Sequence, residues 1–152
     1  MSPTSTDRIE RKILLRAPRS RVWRALTTPV EFGTWFGVKV EGTFAPGARV
    51  RGAITHKGYE HVTWDITIER MEPERVFSWR WHSFEPGVDY ATEPTTLVVF
   101  ELEDAAGGTM LTVVESGFDQ VPVARRAQAY RMNGEGWTYQ MQAIEGYVAT
   151  AG

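Results

Sequence analysis

Apolar and polar residues alternate through most of the chain and then shift to helical spacing, and these changes of period mark its elements. Residues 8–16 alternate around Ile9, Ile13 and Leu15, which predicts a first strand broken by Pro18. Arg19 to Thr27 reads as a short helix burying Val22, Trp23 and Leu26. Thr28, Pro29 and Glu31 have the order of a second helix start: a capping hydroxyl, proline in the first turn, and a carboxylate three residues after the cap. That helix should end at Trp35-Phe36-Gly37.

From there to residue 116 the pattern is that of a strand meander. Val38, Val40 and Phe44 alternate up to the turn Ala45-Pro46-Gly47-Ala48. Val50 and Ile54 follow, with a turn around Lys57-Gly58. Val62, Trp64, Ile66 and Ile68 share one face of a long strand ending near Glu72-Pro73, and Phe77, Trp79 and Trp81 share one face of the next. Residues 83–94, with Pro86, Gly87 and Pro94, form a long connection. Val98, Phe100 and Leu102 lead to a hairpin at Ala105-Ala106-Gly107-Gly108, and Leu111, Val113 and Glu115 line the last strand. A period of two with turn residues between short runs is what an antiparallel sheet requires.

After Gly117 the period becomes helical, with Asp119 as a cap and Pro122 in the first turn. Tyr130, Gly134, Trp137, Met141, Ile144 and Val148 make one stripe of an amphipathic helix about 28 residues long. Gly134 lies on that stripe, where a glycine either lets another element approach closely or leaves room for something else. Each strand of the meander has one apolar face, so the sheet must curl around the long helix. The expected fold is α+β, a curved sheet of about seven antiparallel strands gripping a long C-terminal helix, with two short helices after the first strand. No repeat or linker interrupts it, so residues 1–152 form one domain with an ordered core of about 8–150.

Composition alters this picture in one respect. Six Trp, five Tyr and seven Phe are a large aromatic complement for 152 residues, and such rings both fill cores and line ligand sites. Trp35, Phe36, Trp64, Phe77, Trp79, Trp81, Phe100, Trp137 and Met141 fall on predicted inner faces and are the candidate walls of an apolar cavity. Their alternative is to pack on one another. His61 and Tyr139 are candidates for its rim.

The net charge of −2 provides no drive toward nucleic acid or an anionic membrane. Cysteine is absent, which excludes disulfides and thiol chemistry. Met1 to Lys12 is polar, and no run approaches the roughly 20 apolar residues of a membrane helix; a cytoplasmic location is expected. His56, His61 and His82 have no metal-ligand spacing, and no phosphate-binding glycine motif occurs, so neither metal nor cofactor is expected. Ser116 lacks the surroundings of a nucleophile. Asp65 and Arg80 alternate with inward residues and should face outward.

Glu115 is the polar residue of most interest, because alternation with Leu111 and Val113 turns it inward. Desolvation there disfavours a charge unless a partner compensates. Two readings stand: a ligand hydrogen-bonder or general base, or a structural group in a salt bridge or at the cap of the long helix.

Several segments resemble homologues of the activator of Hsp90 ATPase, in the START-like or Bet v 1-like (SRPBCC) superfamily. They are Ala17-Pro18 with Val22 to Thr27, Trp35-Phe36, Pro46-Gly47, Met71 to Val76 leading to Trp79, Gly108 to Leu111, Glu115 to Phe118, and Gly136-Trp137. The resemblance implies a helix-grip fold with a hydrophobic cavity, and relatives that bind lipids, hormones or polyketides, act as cyclases or aromatases, or contact the chaperone. The eukaryotic activator carries a further N-terminal domain for which 152 residues leave no room, so chaperone activation is not the leading expectation. That expectation is non-enzymatic binding of a hydrophobic or aromatic small molecule, lipid or polyketide-like, with a stress-related role among its settings. The alternatives are a cyclase- or hydrolase-type enzyme using Glu115 as acid/base and a chaperone-interacting module. Oligomeric state is left open, a homodimer included.

Overall fold

The first and second strands in sequence end up at opposite edges of one sheet, and this dictates the rest of the architecture. The computed structural model describes residues 8–55, 57, 63–82, 95–121 and 123–150. Its strands are β1 (Arg8–Leu15), β2 (Val38–Glu41), β3 (Arg49–Ile54), β4 (Thr63–Glu72), β5 (Val76–Trp81), β6 (Thr96–Ala105) and β7 (Gly108–Ser116). They pair antiparallel in the order β1-β7-β6-β5-β4-β3-β2. The helices α1 (Arg19–Thr27) and α2 (Pro29–Phe36) carry the chain from one edge to the other, and α3 (Val123–Thr150) packs against β1, α2 and α1. This is the expected grip. Val62, His56, His61, Gly58, the 83–94 connection and Pro122 lie outside the described residues.

The alternation in the sequence becomes alternation in burial. Thr109, Leu111, Val113 and Glu115 of β7, Thr96, Val98, Phe100 and Leu102 of β6, and Trp64, Ile66 and Ile68 of β4 all face inward and are buried. The outer face carries ion pairs. Asp65 accepts from Arg49 at 2.7 and 3.0 Å, and Arg80 donates to Glu69 at 2.9 Å. The hydrogen bond from Arg49 holds the Asp65 carboxyl below its ordinary 3.8 against the opposing effect of burial. Between Ile68 and Arg70 the β4–β5 register shifts, an irregularity that bends a strand and sharpens its twist.

One helix start differs from expectation. Thr28 makes no side-chain cap bond, and Glu31 is engaged elsewhere. It accepts from Arg21 at 2.8 Å, Arg24 at 3.0 Å and the Tyr147 hydroxyl at 3.0 Å, and so ties α1, α2 and the end of α3 together. Asp119 lies in a 3-10 turn over Phe118–Gln120 entered through Gly117 at φ 99°. That turn buries Phe118 with its ring 5.4 Å from Tyr130, and α3 is described from Val123.

The end of α2 follows expectation: Gly37 adopts φ 90° and its N–H closes on the Gly33 carbonyl. Gly33 lets α2 lie on β2, since a Cβ there would meet the Val38 carbonyl oxygen at 2.2 Å. Gly134 likewise serves close packing. A Cβ would meet the Arg11 guanidinium at 3.1 Å and Ile9 at 3.8 Å, which sets α3 directly on β1. Phe44, beyond the end of β2, still packs into the core, 5.6 Å from both Phe32 and Phe77. No described helix is long and apolar enough to cross a membrane.

Candidate functional site

The centre of the sheet's inner face is a continuous set of aromatic rings. Trp79 lies in the middle, with ring centroids 5.2 Å from Phe100, 5.5 Å from Trp81, 5.6 Å from Phe77, 6.3 Å from Trp64 and 6.4 Å from Trp137. Phe36, at the end of α2, lies 6.2 Å from Trp64, 6.4 Å from Trp81 and 6.3 Å from Trp137. Trp35 joins through Phe36 at 5.6 Å and fastens α2 to α1 by donating its indole N–H to the Ala25 carbonyl at 2.8 Å. Met141 is buried one turn beyond Trp137 in the same core. The structure therefore brings the predicted rings together, and it packs them on one another. Edge-on and offset pairs at these separations each add about 0.5–1.5 kcal/mol beyond burial. Only Trp81 among the predicted rings is half-buried, so the set breaks the surface there, beside Phe36 and Trp137.

Glu115 faces inward as alternation requires and is fully buried. Its Oε1 accepts from the Trp137 indole at 2.8 Å, and its Oε2 accepts from the Trp81 indole at 2.8 Å and from the Thr96 hydroxyl. The Asn133 amide N–H lies 3.0 Å from both oxygens. A carboxylate offers roughly four lone-pair directions, so this one is saturated. The structural reading thus holds in altered form. The partners are neutral, which rules out the expected salt bridge, and those from α3 come from its middle, which rules out a cap. A general base must present a free lone pair to its substrate, and neither oxygen has one here. Glu115 is a positioning residue: it fixes two indoles of the ring set edge-on and joins β5, β6, β7 and α3.

Among the described residues, three buried polar atoms of this region have no partner: Nε1 of Trp64, Nε1 of Trp79 and Oε1 of Gln140. Gln140 donates its amide N–H to the Phe36 carbonyl at 3.0 Å, which holds α3 to the end of α2. Tyr139 is 54% exposed, two residues after Trp137 on α3. His61 lies outside the described residues. His82, next after Trp81, is half-buried; burial pushes its imidazole below the ordinary 6.5, with Asp65 opposing. Among the described residues no group of three metal-ligating side chains converges.

Four participants are not among the residues that sequence patterning singles out. Phe32 stacks on Phe36 at 4.8 Å and lies 5.8 Å from Trp79; its spacing of four from Phe36 is the signal that points to it. Asn133, one turn before Trp137, carries the same signal. Thr96 is at an inward position two residues before Val98. Gln140 carries none, because a polar residue beside the stripe is ordinary.

The fold and site can be set beside known proteins. The chain is similar to protein MLL2253 from Mesorhizobium loti, at 23% identity and TM-score 0.75, over 93% of this chain and 96% of that one. It is similar to DynU16, described as a putative protein in the dynemicin biosynthetic locus, at 26% identity and TM-score 0.74. That likeness covers 95% of this chain and 48% of DynU16, so this chain spans about half of it. A third likeness is to the Aha1 dimer from Colwellia psychrerythraea, at 16% identity and TM-score 0.71, over 93% of this chain and 95% of that one. Among curated proteins none matches. The family described as "Activator of Hsp90 ATPase homolog 1-like protein" matches residues 16–149. The match takes in α1, α2, β2 to β7 and almost all of α3, and the chain belongs to that family.

Proposed function

We propose that this domain binds a hydrophobic or aromatic small molecule between the sheet and α3, without catalysing a reaction on it. The observation that carries this reading is the continuity of the ring set from the fully buried Trp79 to the half-buried Trp81. A ligand entering beside Trp81, Phe36 and Trp137 would part rings that otherwise pack on one another, and each offers it an aromatic face. Its affinity comes from apolar area removed from water, at roughly 25 cal/mol per Å². Glu115 contributes by holding Trp81 and Trp137 in place. Its saturated oxygens are the reason for preferring binding over acid/base chemistry.

Titration with fatty acids, flavonoids and aromatic polyketides, followed by tryptophan fluorescence, tests the proposal, together with native mass spectrometry of the protein as purified. A saturable change of emission or a co-purified mass is expected. An interior that responds to no member of the panel overturns it. The dimeric relative from Colwellia psychrerythraea supports homodimerisation as a further proposal, and light scattering that returns the mass of a single chain overturns that.

A further inference from the structure

The indoles of this domain fall into two groups. Trp35 donates to the Ala25 carbonyl, and Trp81 and Trp137 donate to Glu115. The Nε1 atoms of Trp64 and Trp79 are just as deeply placed, on side chains 3% and 0% exposed, and have no acceptor. An indole can only donate, and buried indole N–H groups ordinarily find a partner. The two orphans are neighbours. Their rings lie 6.3 Å apart at 79°, and both touch Phe32, at 5.4 and 5.8 Å.

We infer that Trp64 and Trp79 form an acceptor-binding subsite that selects neutral aromatic carbonyl compounds, such as aryl ketones or quinones; this rests on the binding function proposed above. A carbonyl oxygen has two lone pairs and can take two N–H donors. The flat body of an aryl ketone suits walls made of ring faces and edges. A fatty-acid carboxylate suits them less, because burying a charge costs far more than burying a neutral carbonyl. A pure hydrocarbon would leave both donors bare, at a cost in affinity.

The test compares 1-acetonaphthone with 1-isopropylnaphthalene, which has nearly the same shape and no oxygen. Calorimetry should show the ketone binding at least about tenfold more tightly, the effect of one to two hydrogen bonds. In 15N-labelled protein the assigned indole N–H signals of Trp64 and Trp79 should move downfield with the ketone alone, while that of Trp35 stays in place. Trp64→Phe and Trp79→Phe should each reduce the ketone's advantage and retain hydrocarbon binding. Should either variant fail to fold, the indole shifts of the unaltered protein decide between the outcomes. Equal affinities, or unmoved Trp64 and Trp79 signals with ketone bound, overturn the subsite and leave the binding function standing. If neither probe binds, the subsite falls, and the panel above decides the binding function separately.

Discussion

Trp79 and Trp137 are both buried and their rings are neighbours, yet their polar edges are treated in opposite ways. Trp137 shares the Glu115 carboxyl with Trp81, Thr96 and Asn133, a cluster in which every donor has an acceptor. Trp79 and Trp64 have the same N–H group and nothing to give it to. The difference separates two tasks that aromatic residues perform in one core. Bonded indoles are held in a set orientation and define the walls. Unbonded ones add packing area and keep a polar atom in reserve. A core built for stability alone would contain only the first kind, since an unpaired buried donor costs about 1–3 kcal/mol.

The largest expected effect comes from removing the shared acceptor. Glu115→Leu strands the donors of Trp81, Trp137 and Asn133 together, and urea unfolding should show a loss of about 3 kcal/mol or more. A loss below about 1 kcal/mol would mean that the cluster does not hold the walls. A smaller effect separates the two classes of indole directly. Trp137→Phe and Trp79→Phe remove similar ring area, but only the former breaks a bond to Glu115, so it should cost about 1–2 kcal/mol more in the same assay. Equal costs erase the distinction.

Gly136→Ala stiffens α3 without touching either class. Gly136 is exposed, a Cβ there meets nothing within 4 Å, and alanine should stabilise the protein by up to about 1 kcal/mol in thermal or urea unfolding. Gly134→Ala should gain less, because its Cβ must displace the Arg11 guanidinium.

The smallest effect is one of pH. Burial holds His82 below 6.5 in the folded protein. Below that value the unfolded chain takes up the proton more readily than the folded one, so this contribution to stability is present above 6.5 and fades as pH falls through the folded value. Asp65, held below 3.8, adds a second loss further into acid. Thermal melts should decline in those two stages. His82→Gln should remove the first stage alone, and a decline that persists in that variant breaks the assignment.

Much of this is legible in the sequence because it depends on period. The inward position of Glu115 follows from Leu111 and Val113 on the same strand, and the stripe from Gly134 to Val148 follows from helical spacing. The order of elements and the gathering of the rings follow from the same patterns. What stays hidden depends on docking. The partners of Glu115 lie 18 to 34 residues away, on two other strands and a helix, and no local rule states how far α3 slides along β1. The helix start that differs from expectation has this cause: Glu31 has the spacing of a capping residue, but Arg21, Arg24 and Tyr147 reach it through tertiary contact. Whether an indole finds an acceptor is likewise decided across the core, so Trp64 and Trp137 look alike until the sheet closes.

Glu115 has one more consequence, for how the chain finds its pairing. It pairs with Val98 on β6 and with Ile9 on β1. A slip of one residue along either ladder would still satisfy the backbone, but it would turn β7 over relative to its neighbours. An ordinary apolar residue tolerates some such error. A carboxyl whose donors arrive from three other elements does not, because a misaligned strand leaves it buried without them or sends it into water while two indoles go bare. The carboxyl in the last strand thus acts as a proofreader of strand alignment, accepting the assembled sheet and helix only when all four elements have met in one register.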